Sequence, residues 1–444
     1  MLAETSYGMS ACQLHMWEGM RFRASGDPGL SSKNVHVARL VSGHLDRLRL
    51  AEALRYLTEI HDVLRMRLSD SDQVPRLVVA ASVQQPYAFV DLSVSPGNLD
   101  EVTRVSRTIV SALADQTFDL TAEPPWRCTV VRLATDRHII CLTLNSLLVD
   151  GSSALILMSQ LGTAYAGRTI TPPPASYAPY AGRTYPADAD LFWSSEINAV
   201  GYHGVAADAP TGTDGPYTAA WRTYPIEFGD DELTITEGSG RTRHWTPYMV
   251  HAAAYCAALA KTFRRDTFVV GTSVYRADLK PTPTSVGCYL DFVYFLYRDA
   301  PDAEIDQRIT RVRTAFMRGL QNLSLSRSII AGNIFAGDIS KVPPGTFFHD
   351  VWIRGAYGVS GPARQSMTFG DYSAEPVPRP PESGCRVLTT PYQVWLYSKK
   401  IMPSLYLTTA DGNSVYVEAN ASAHSQELIH SLIATYRARL LETG

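Results

Sequence analysis

Two adjacent apolar segments that end in a polar cluster constrain the fold of this chain most strongly. Cys128–Leu133 and Ile139–Leu144 are separated only by the short polar turn Ala134–Arg137. Segments of this length around a short turn predict an antiparallel hairpin of buried strands. The second strand runs into Asn145-Ser146-Leu147-Leu148-Val149-Asp150-Gly151, and a periodic apolar segment, Ala154–Tyr165, predicts a helix after it. Gly151 supplies a turn and Ser152 is a candidate N-cap. Because α/β proteins place their sites where a strand ends, this polar cluster is the first candidate for a functional site.

Length and composition exclude several classes of protein. The chain has 444 residues, which predicts two lobes rather than one core, and its charged and hydrophobic fractions of 19% and 45% are those of a globular protein. The net charge is −3 with dispersed Lys and Arg, which argues against nucleic-acid and membrane partners. The N-terminus Met1-Leu2-Ala3-Glu4 lacks a basic start and an apolar signal core, which argues against secretion, and no apolar run reaches membrane-spanning length. Six cysteines without metal-binding spacing predict reduced thiols and no metal site. We therefore expect a cytoplasmic monomer.

Periodicity predicts helices and strands in both halves of the chain. A Pro-rich segment, Thr171–Pro186, has no helical or strand period and is interpreted as a linker. The chain is therefore predicted to be α/β in two parts, residues 1–175 and 176–444, each with a mixed sheet and helices. The other predicted elements are strands at Val35–Val41, Thr267–Val274, Phe347–Trp352 and Gln393–Tyr397, helices at Leu48–Val63, Val102–Leu113, Asp188–Val200 and Tyr248–Phe263, a helix defined by Ile305 to Leu320, a hairpin at Ser404–Glu418 and a final helix around Leu428–Tyr436.

Short motifs in a fixed order give the sequence a resemblance to a known family. Ser10–Trp17 resembles the opening signature Ser-x-Ala-Gln-x-x-x-Trp, with Gln13 and Trp17 in place. The later matches are His61–Arg67, Phe118-Asp119-Leu120 with Arg127, Val270–Arg276 followed by Gly287–Asp291, and Tyr416–Leu441. Together they resemble the condensation-domain superfamily of nonribosomal peptide synthetases over nearly the whole chain.

The resemblance implies a fold, a partner and a cofactor arm. The family folds as two chloramphenicol-acetyltransferase-like lobes in a V-shaped pseudo-dimer with an inter-lobe tunnel. It implies that carrier proteins deliver thioester-bound acyl groups on phosphopantetheine, with no cofactor bound directly by the domain. The nucleophile is expected to be a small molecule or a second carrier-bound group.

The family's active-site motif is His-His-x-x-x-Asp-Gly, and this chain keeps only half of it. Asp150 and Gly151 match, and Arg276 is expected to pair with Asp150 as a structural residue. Asn145 and Ser146 replace the two histidines, so the usual general base is missing. General acid–base catalysis contributes a factor of roughly 10² to 10⁴, but positioning of an activated thioester and a nucleophile can contribute as much.

A second comparison places the motif near the heterocyclisation branch of the same superfamily. That branch carries Asp-x-x-x-x-Asp-x-x-Ser, onto which Asn145, Asp150 and Ser153 fall. Thr390–Leu396 also resembles the branch's Pro-Gln-Val-Trp-Leu-Asp segment, with Tyr397 at the place of its Asp. The chain therefore lacks two acidic groups that the cyclodehydration chemistry is thought to use.

Each candidate residue has a functional and a structural interpretation. Asn145 orients a substrate carbonyl or amide, or it closes the strand-to-helix turn. Ser146 donates to an oxyanion, or it is a small residue that leaves the tunnel open. Ser153 is a catalytic candidate by the second comparison, with a first-turn helix position as its structural interpretation. Candidates for the substrate tunnel are His349, Gln393, Trp395 and Asp291.

These observations support two hypotheses about function. In the first, the protein is an acyltransferase or condensation-type enzyme that acts on a carrier-bound acyl or peptidyl thioester, by acyl transfer, amide formation or cyclisation, without a histidine base. In the second, it is a non-catalytic module that docks a carrier protein or recruits a tailoring enzyme.

Overall fold

The computed structural model describes residues 6–10, 12–14, 16–17, 34–69, 75–93, 108–109, 112, 116–183, 186, 188–199, 221–228, 245–323, 351–355, 367–369, 372–376, 402–408, 414–421 and 424–442. The chain forms two compact units. The first contains Met1–Thr184, Tyr275–Leu290 and Gly361–Pro380, and the second contains Tyr185–Val274, Asp291–Ser360 and Pro381–Gly444. The sequence predicted a single break at residue 175. In the structure the first break follows Thr184, and two later segments return to the first unit because they hydrogen-bond to its helices and strands.

The first unit contains a six-stranded sheet and a three-stranded sheet. The larger has the order β12-β13-β2-β7-β6-β5 and the smaller β1-β4-β3. Its elements are β1 (Ser6–Tyr7), β2 (Asn34–Ser42), α1 (Arg47–Ile60), β3 (Met66–Leu68), β4 (Leu77–Val79), β5 (Tyr87–Asp91), β6 (Trp126–Ala134), β7 (Arg137–Asn145), α2 (Gly151–Tyr165), α3 (Ala178–Ala181), β12 (Met367–Phe369) and β13 (Tyr372–Pro376).

The predicted hairpin is confirmed as the centre of this sheet. Strands β6 and β7 pair antiparallel, with Val130 opposite Ile140. Strand β2 pairs antiparallel with the other edge of β7, so that Asn34 lies opposite Asn145. All residues of β7 from His138 to Asn145 are buried. A strand with neighbours on both sides holds its carboxyl end, and the turn that follows it, in a fixed position.

Both helices around this sheet begin at an aspartate cap. Asp46 Oδ1 accepts the N–H groups of Leu48 and Arg49, which starts α1 one residue before the predicted helix. Asp150 Oδ1 accepts the N–H of Ser153 at 2.8 Å and caps α2. The predicted cap at Ser152 is therefore wrong, because the helix begins one turn earlier than its apolar period shows.

The segment interpreted as a linker is partly built into the first unit. Tyr177 is fully buried, and Ala178 and Ala181 of α3 are buried beside it. The Asp62 carboxylate fixes the segment, since it accepts the N–H groups of Tyr177 and Ala178 and the hydroxyl of Ser176. The packing of this segment depends on a distant aspartate, which a local period does not reveal.

The second unit contains a six-stranded sheet of order β10-β9-β11-β14-β15-β8, in which β11 is parallel to both β9 and β14. Helix α5, in which residues Tyr248–Ala260 are all buried, is capped by Thr246 and packs its Tyr255 ring edge-on against Tyr436, 5.4 Å away. Its elements are α4 (Ala189–Asn198), β8 (Trp221–Ile226), α5 (Pro247–Phe263), β9 (Thr267–Tyr275), β10 (Leu290–Arg298), α6 (Ile305–Gln321), β11 (Val351–Gly355), β14 (Ser404–Thr408), β15 (Ser414–Asn420) and α7 (Gln426–Leu441).

Some sequence predictions fall outside the described residues. Of the helix predicted at Val102–Leu113, only residues 108–109 and 112 are described, and they are helical. The strand predicted at Gln393–Tyr397 is not covered. Within the described ranges, no helix is long and apolar enough to cross a membrane, and no group of His, Cys, Asp and Glu side chains could hold a metal ion. The five described cysteines are buried.

Two buried histidines predict that acid destabilises the protein. Nε2 of His61 lies 2.7 Å from Gln160 Oε1, and Nδ1 of His251 lies 2.5 Å from the Tyr436 hydroxyl. Burial lowers the pKa of each imidazole to about 4. The unfolded chain binds these protons near pH 6.5, whereas the folded state stays neutral to about pH 4. The stabilisation that the two neutral histidines give the folded state is therefore fully present above pH 6.5 and is lost as the pH falls from 6.5 towards 4.

We expect the free energy of unfolding in urea to be about 2 kcal/mol lower per histidine at pH 5 than at pH 7. The variant His61→Gln should lose about half of this dependence, because glutamine stays neutral and keeps a polar group for Gln160. Equal stability of the wild type at pH 7 and pH 5 would contradict the assignment.

Candidate active site

The turn between β7 and α2 is held by Asn145. Its Oδ1 accepts the N–H of Leu147 at 3.0 Å, and its backbone oxygen accepts the N–H groups of Leu148 and Val149. This is the local side-chain-to-backbone bond by which asparagine stabilises turns. The side chain is buried, with 2% exposed. Of the two interpretations of Asn145, the structure supports the one in which it closes the turn, and its carbonyl oxygen is not available to a substrate.

Asp150 joins the turn to the segment Tyr275–Leu290 of the same unit. Its two carboxylate oxygens accept the N–H of Ser153 at 2.8 Å and the N–H of Tyr289 at 2.7 Å. Its own N–H donates to the Gly287 oxygen at 3.1 Å. Burial raises the pKa of this carboxyl, opposed by the hydrogen bonds with Ser153 and Tyr289 and by the charge of Lys280. The structural role predicted for Asp150 therefore operates through backbone amides.

The predicted ion pair between Asp150 and Arg276 is wrong. The Arg276 guanidinium bonds both oxygens of Asp278, at 2.9 and 2.7 Å. The backbone N–H of Arg276 reaches the site, where it donates to the Tyr289 oxygen at 2.7 Å. Asp278, two residues away, reaches the guanidinium while its own side chain stays 62% exposed, so its carboxylate is not buried by the pairing.

Ser153 is fully buried and belongs to the same connection. Its hydroxyl donates to the Gly287 oxygen at 2.9 Å and accepts the Gly287 N–H at 3.1 Å. A serine hydroxyl has one proton to donate, and here a backbone carbonyl takes it. The structure favours the first-turn helix interpretation of Ser153, because a backbone carbonyl accepts its hydroxyl proton, and a catalytic role for Ser153 stays a prediction.

Tyr177 is a site-forming residue that the sequence did not single out. Its hydroxyl donates to the Cys288 oxygen at 3.1 Å, and its ring contacts Tyr289 edge-on at 5.4 Å. A Cβ on Gly287 would lie 2.1 Å from the Tyr177 ring, so only glycine fits there. The sequence signal for its burial was the position of a tyrosine in the middle of a Pro-rich segment, because an exposed linker does not require a large aromatic side chain.

Ser146 has a different environment from its neighbours. The residue is 4% exposed, and its Oγ has no hydrogen-bond partner among the described residues. The hydroxyl of Tyr289, a residue of the same unit that is fully buried, is likewise unpartnered. An unsatisfied buried polar group costs about 1–3 kcal/mol and calls for an explanation. A bound group that exchanges a hydrogen bond with the Ser146 hydroxyl would supply one for that residue.

The remaining candidates contribute less to the site. Asp291 is fully buried in β10 of the second unit, and its place in a substrate tunnel stays a prediction. His349, Gln393 and Trp395 lie outside the described residues. Gly151 is the first residue of α2 and is exposed, and a Cβ added to it would have no other atom within 4 Å.

Comparison with known proteins decides the family. The sequence model of the condensation domain matches residues 4–325 of the chain. The chain belongs to the condensation-domain family. Tyrocidine synthase 3 of Brevibacillus parabrevis is 27% identical over 274 residues, which are 60% of this chain, and the chain spans 4% of that protein's length.

Solved structures confirm the fold of this condensation domain. The starter condensation domain of rhizomide synthetase RzmA is 15% identical and superposes with a TM-score of 0.68, covering 99% of this chain and 95% of that one. The X-domain from teicoplanin biosynthesis, solved in complex with OxyB, is 17% identical with a TM-score of 0.69, covering 99% and 93%. The prediction of a two-lobed acetyltransferase-like fold is confirmed, whereas the V-shaped arrangement and the tunnel stay predictions.

Family membership also gives this condensation domain a biosynthetic context. Condensation domains act in nonribosomal peptide and related biosynthesis on substrates held by the phosphopantetheine arms of carrier proteins. The structure adds that Asp150 and Ser153 connect the turn to the segment Tyr275–Leu290, while the buried Ser146 hydroxyl has no hydrogen-bond partner among the described residues.

Proposed function

We propose that this condensation domain transfers an acyl or peptidyl group from a carrier-protein thioester to a nucleophile without a histidine base. The observation that carries the proposal is the buried Ser146 hydroxyl at the position of the family's second histidine, which has no hydrogen-bond partner in the described part of the chain. A site that had lost its function would be expected to fill this position with an apolar side chain, because an unsatisfied hydroxyl there destabilises the fold.

Transfer of an acyl group from a thioester to an amine needs little acid or base catalysis from the protein. A free amine attacks the thioester carbonyl carbon, and the carbonyl oxygen becomes an oxyanion that accepts a hydrogen bond from the Ser146 Oγ. Collapse of this intermediate breaks the carbon–sulfur bond, and the departing thiolate takes the proton lost by the attacking amine. A single donor of this kind contributes a factor of about 10² to 10³, and alignment of the two reactants supplies the rest.

Acyl transfer fits this site better than cyclisation. The heterocyclisation motif needs an acidic residue where Asn145 stands, and it needs the side chain of Ser153. Asn145 has no proton that titrates near neutral pH, and its side-chain oxygen holds the turn. The Ser153 hydroxyl donates to the Gly287 oxygen and accepts the Gly287 N–H. The side chains at all three motif positions, Asn145, Asp150 and Ser153, are therefore hydrogen-bonded to the backbone.

The rival function is a non-catalytic module that docks a carrier protein or recruits a tailoring enzyme. Replacement of both histidines is the observation in its favour. The two functions differ in what they need from Ser146, since a module has no use for a buried hydroxyl.

A small-molecule assay tests the proposal. The protein is incubated with acyl-N-acetylcysteamine thioesters or acyl-loaded carrier domains and a panel of amines, and product is followed by mass spectrometry. We expect acceleration of at least about 10²-fold over buffer, by the oxyanion contribution alone. With no imidazole at the motif, the rate should follow only the free-base fraction of the amine as pH changes. No acceleration with any pair would favour the docking module.

A further inference from the structure

A cavity in the first unit is lined by arginine and histidine side chains. It has a volume of about 330 Å³ and lies between the start of α1, strand β5 and the β6–β7 hairpin. Its residue on β7 is His138, at the opposite end of that strand from Asn145. At about 3.3 Å per residue the two residues are roughly 23 Å apart. The cavity is therefore separate from the candidate active site.

The imidazole of His138 is the feature of this cavity that points to a ligand. The residue is 3% exposed, yet its Nδ1 has no hydrogen-bond partner among the residues that the structure describes. Strand β7 is paired on both edges, with β2 and with β6, which fixes the backbone that carries the ring. A buried polar atom without a partner destabilises a fold and calls for an explanation. A molecule bound in the cavity would supply the missing hydrogen bond.

The unpartnered nitrogen of His138 is a hydrogen-bond acceptor. The ring is hydrogen-bonded to the backbone of Gly43, whose N–H already donates to the Asp136 oxygen at 2.6 Å. The Gly43 oxygen therefore receives the ring N–H, and in a neutral imidazole the other nitrogen carries a lone pair. Burial lowers the pKa of His138 and so keeps the ring neutral, although the bond to Gly43 opposes this. The ligand must therefore present a proton to Nδ1.

Two guanidinium groups line the same cavity. Arg47 lies over the Phe89 ring, 4.2 Å from its centroid, and Arg132 Nη1 lies 3.2 Å from Asp91 Oδ2. That ion pair is about one-third exposed and uses one of the five N–H donors of Arg132, so the others can bind a ligand. Asp46 is the carboxylate of the lining, and one of its oxygens accepts two N–H groups at the start of α1. The ligand should therefore also carry negative charge.

We propose that this cavity binds a protonated phosphate group, either free hydrogen phosphate or a small phosphate monoester. The P–OH donates to Nδ1 of His138, and the other phosphate oxygens accept N–H groups of Arg47 and Arg132. Such a group combines a donor with several acceptors, whereas a carboxylate at neutral pH offers acceptors only. Guanidinium groups bind phosphate oxygens through short, charge-assisted hydrogen bonds. The binding site is independent of the acyl transfer proposed above.

The first test compares phosphate with sulfate, an anion of the same shape that has no proton to donate near neutral pH. Inorganic phosphate, glycerol phosphate and sulfate are titrated into the full chain by calorimetry at about pH 6.5, where part of the monoester is protonated. We expect a phosphate to bind at one site per chain at least about 10-fold more tightly than sulfate, which directs a lone pair at Nδ1. The tighter of the two phosphates identifies free phosphate or an ester as the source. Equal affinity for phosphate and sulfate would overturn the inference, as would no saturable phosphate binding up to about 10 mM.

The second test places the bound phosphate in this cavity. Arg47 and Arg49 are both exposed in the first turn of α1, but only Arg47 lines the cavity. We expect Arg47→Gln to weaken phosphate binding at least about 10-fold, since a charge-assisted hydrogen bond is lost, and Arg49→Gln to change it less than about 2-fold. Phosphate affinity of Arg47→Gln equal to that of the wild type would overturn the assignment.

A variant of the histidine tests the role of Nδ1 itself. His138→Leu removes the acceptor and should bring the ratio of phosphate to sulfate affinity close to one, provided that its urea unfolding midpoint shows a folded protein. A folded His138→Leu variant that still prefers phosphate as strongly as the wild type would contradict the role given to His138. If this variant does not fold, the comparison of Arg47→Gln with Arg49→Gln decides the location of the site.

Discussion

Replacing Asp150 by alanine should lower the free energy of unfolding by about 3 kcal/mol, because two losses add. The α2 helix loses its N-cap, which is worth about 1 kcal/mol. The N–H of Tyr289, now 2.7 Å from the carboxylate, is left buried without an acceptor, which costs about 1–3 kcal/mol. The connection between the β7–α2 turn and the segment Tyr275–Leu290 would loosen at the same time.

Asparagine at position 150 should be less harmful than alanine. One side-chain oxygen can still accept the Ser153 N–H, and the substitution removes a buried charge whose desolvation raises the carboxyl pKa. We expect Asp150→Asn to lie between alanine and wild type in urea unfolding. Gly151→Ala is the matched control at the next residue, and because its Cβ meets nothing within 4 Å, stability should change by less than about 0.5 kcal/mol. Alanine at position 150 with wild-type stability would refute the role given to Asp150.

The sequence predicted those parts of the fold that depend on local pattern. The hairpin of β6 and β7 was visible because two apolar runs flank a four-residue polar turn, and α5 because Thr246-Pro247 precedes an Ala-rich segment. In each case the residues that define the element are neighbours in the chain.

The partners of Asp150 could not be found in this way. Tyr289 lies 139 residues further along the chain and offers a backbone N–H, a group that every non-proline residue has. The family resemblance supplied Arg276 instead, although Asp278, two residues away, already suited that guanidinium. The competition of Asp278 for the Arg276 guanidinium could be predicted from the sequence, because the two residues are neighbours in the chain. The replacement of a side-chain partner of Asp150 by a backbone amide could not.

Ser146 is the residue on which the functional account depends. The sequence showed that a serine replaces a histidine, but only the structure shows that its hydroxyl is buried and has no partner in the described protein. Removing such a hydroxyl should leave the free energy of unfolding unchanged or raise it slightly, because no protein hydrogen bond is lost. Its removal should nevertheless lower the rate of acyl transfer by about 10² to 10³-fold, the contribution of one oxyanion donor.

The most direct test is therefore kcat for transfer from an acyl-N-acetylcysteamine thioester by the wild type, Ser146→Ala and Ser146→Thr, each checked for an unchanged unfolding midpoint. The account predicts that alanine loses about 10²-fold or more in kcat with little change in KM, and that threonine, which keeps the hydroxyl, retains a substantial part of the rate. A folded Ser146→Ala variant with the kcat of the wild type would contradict it.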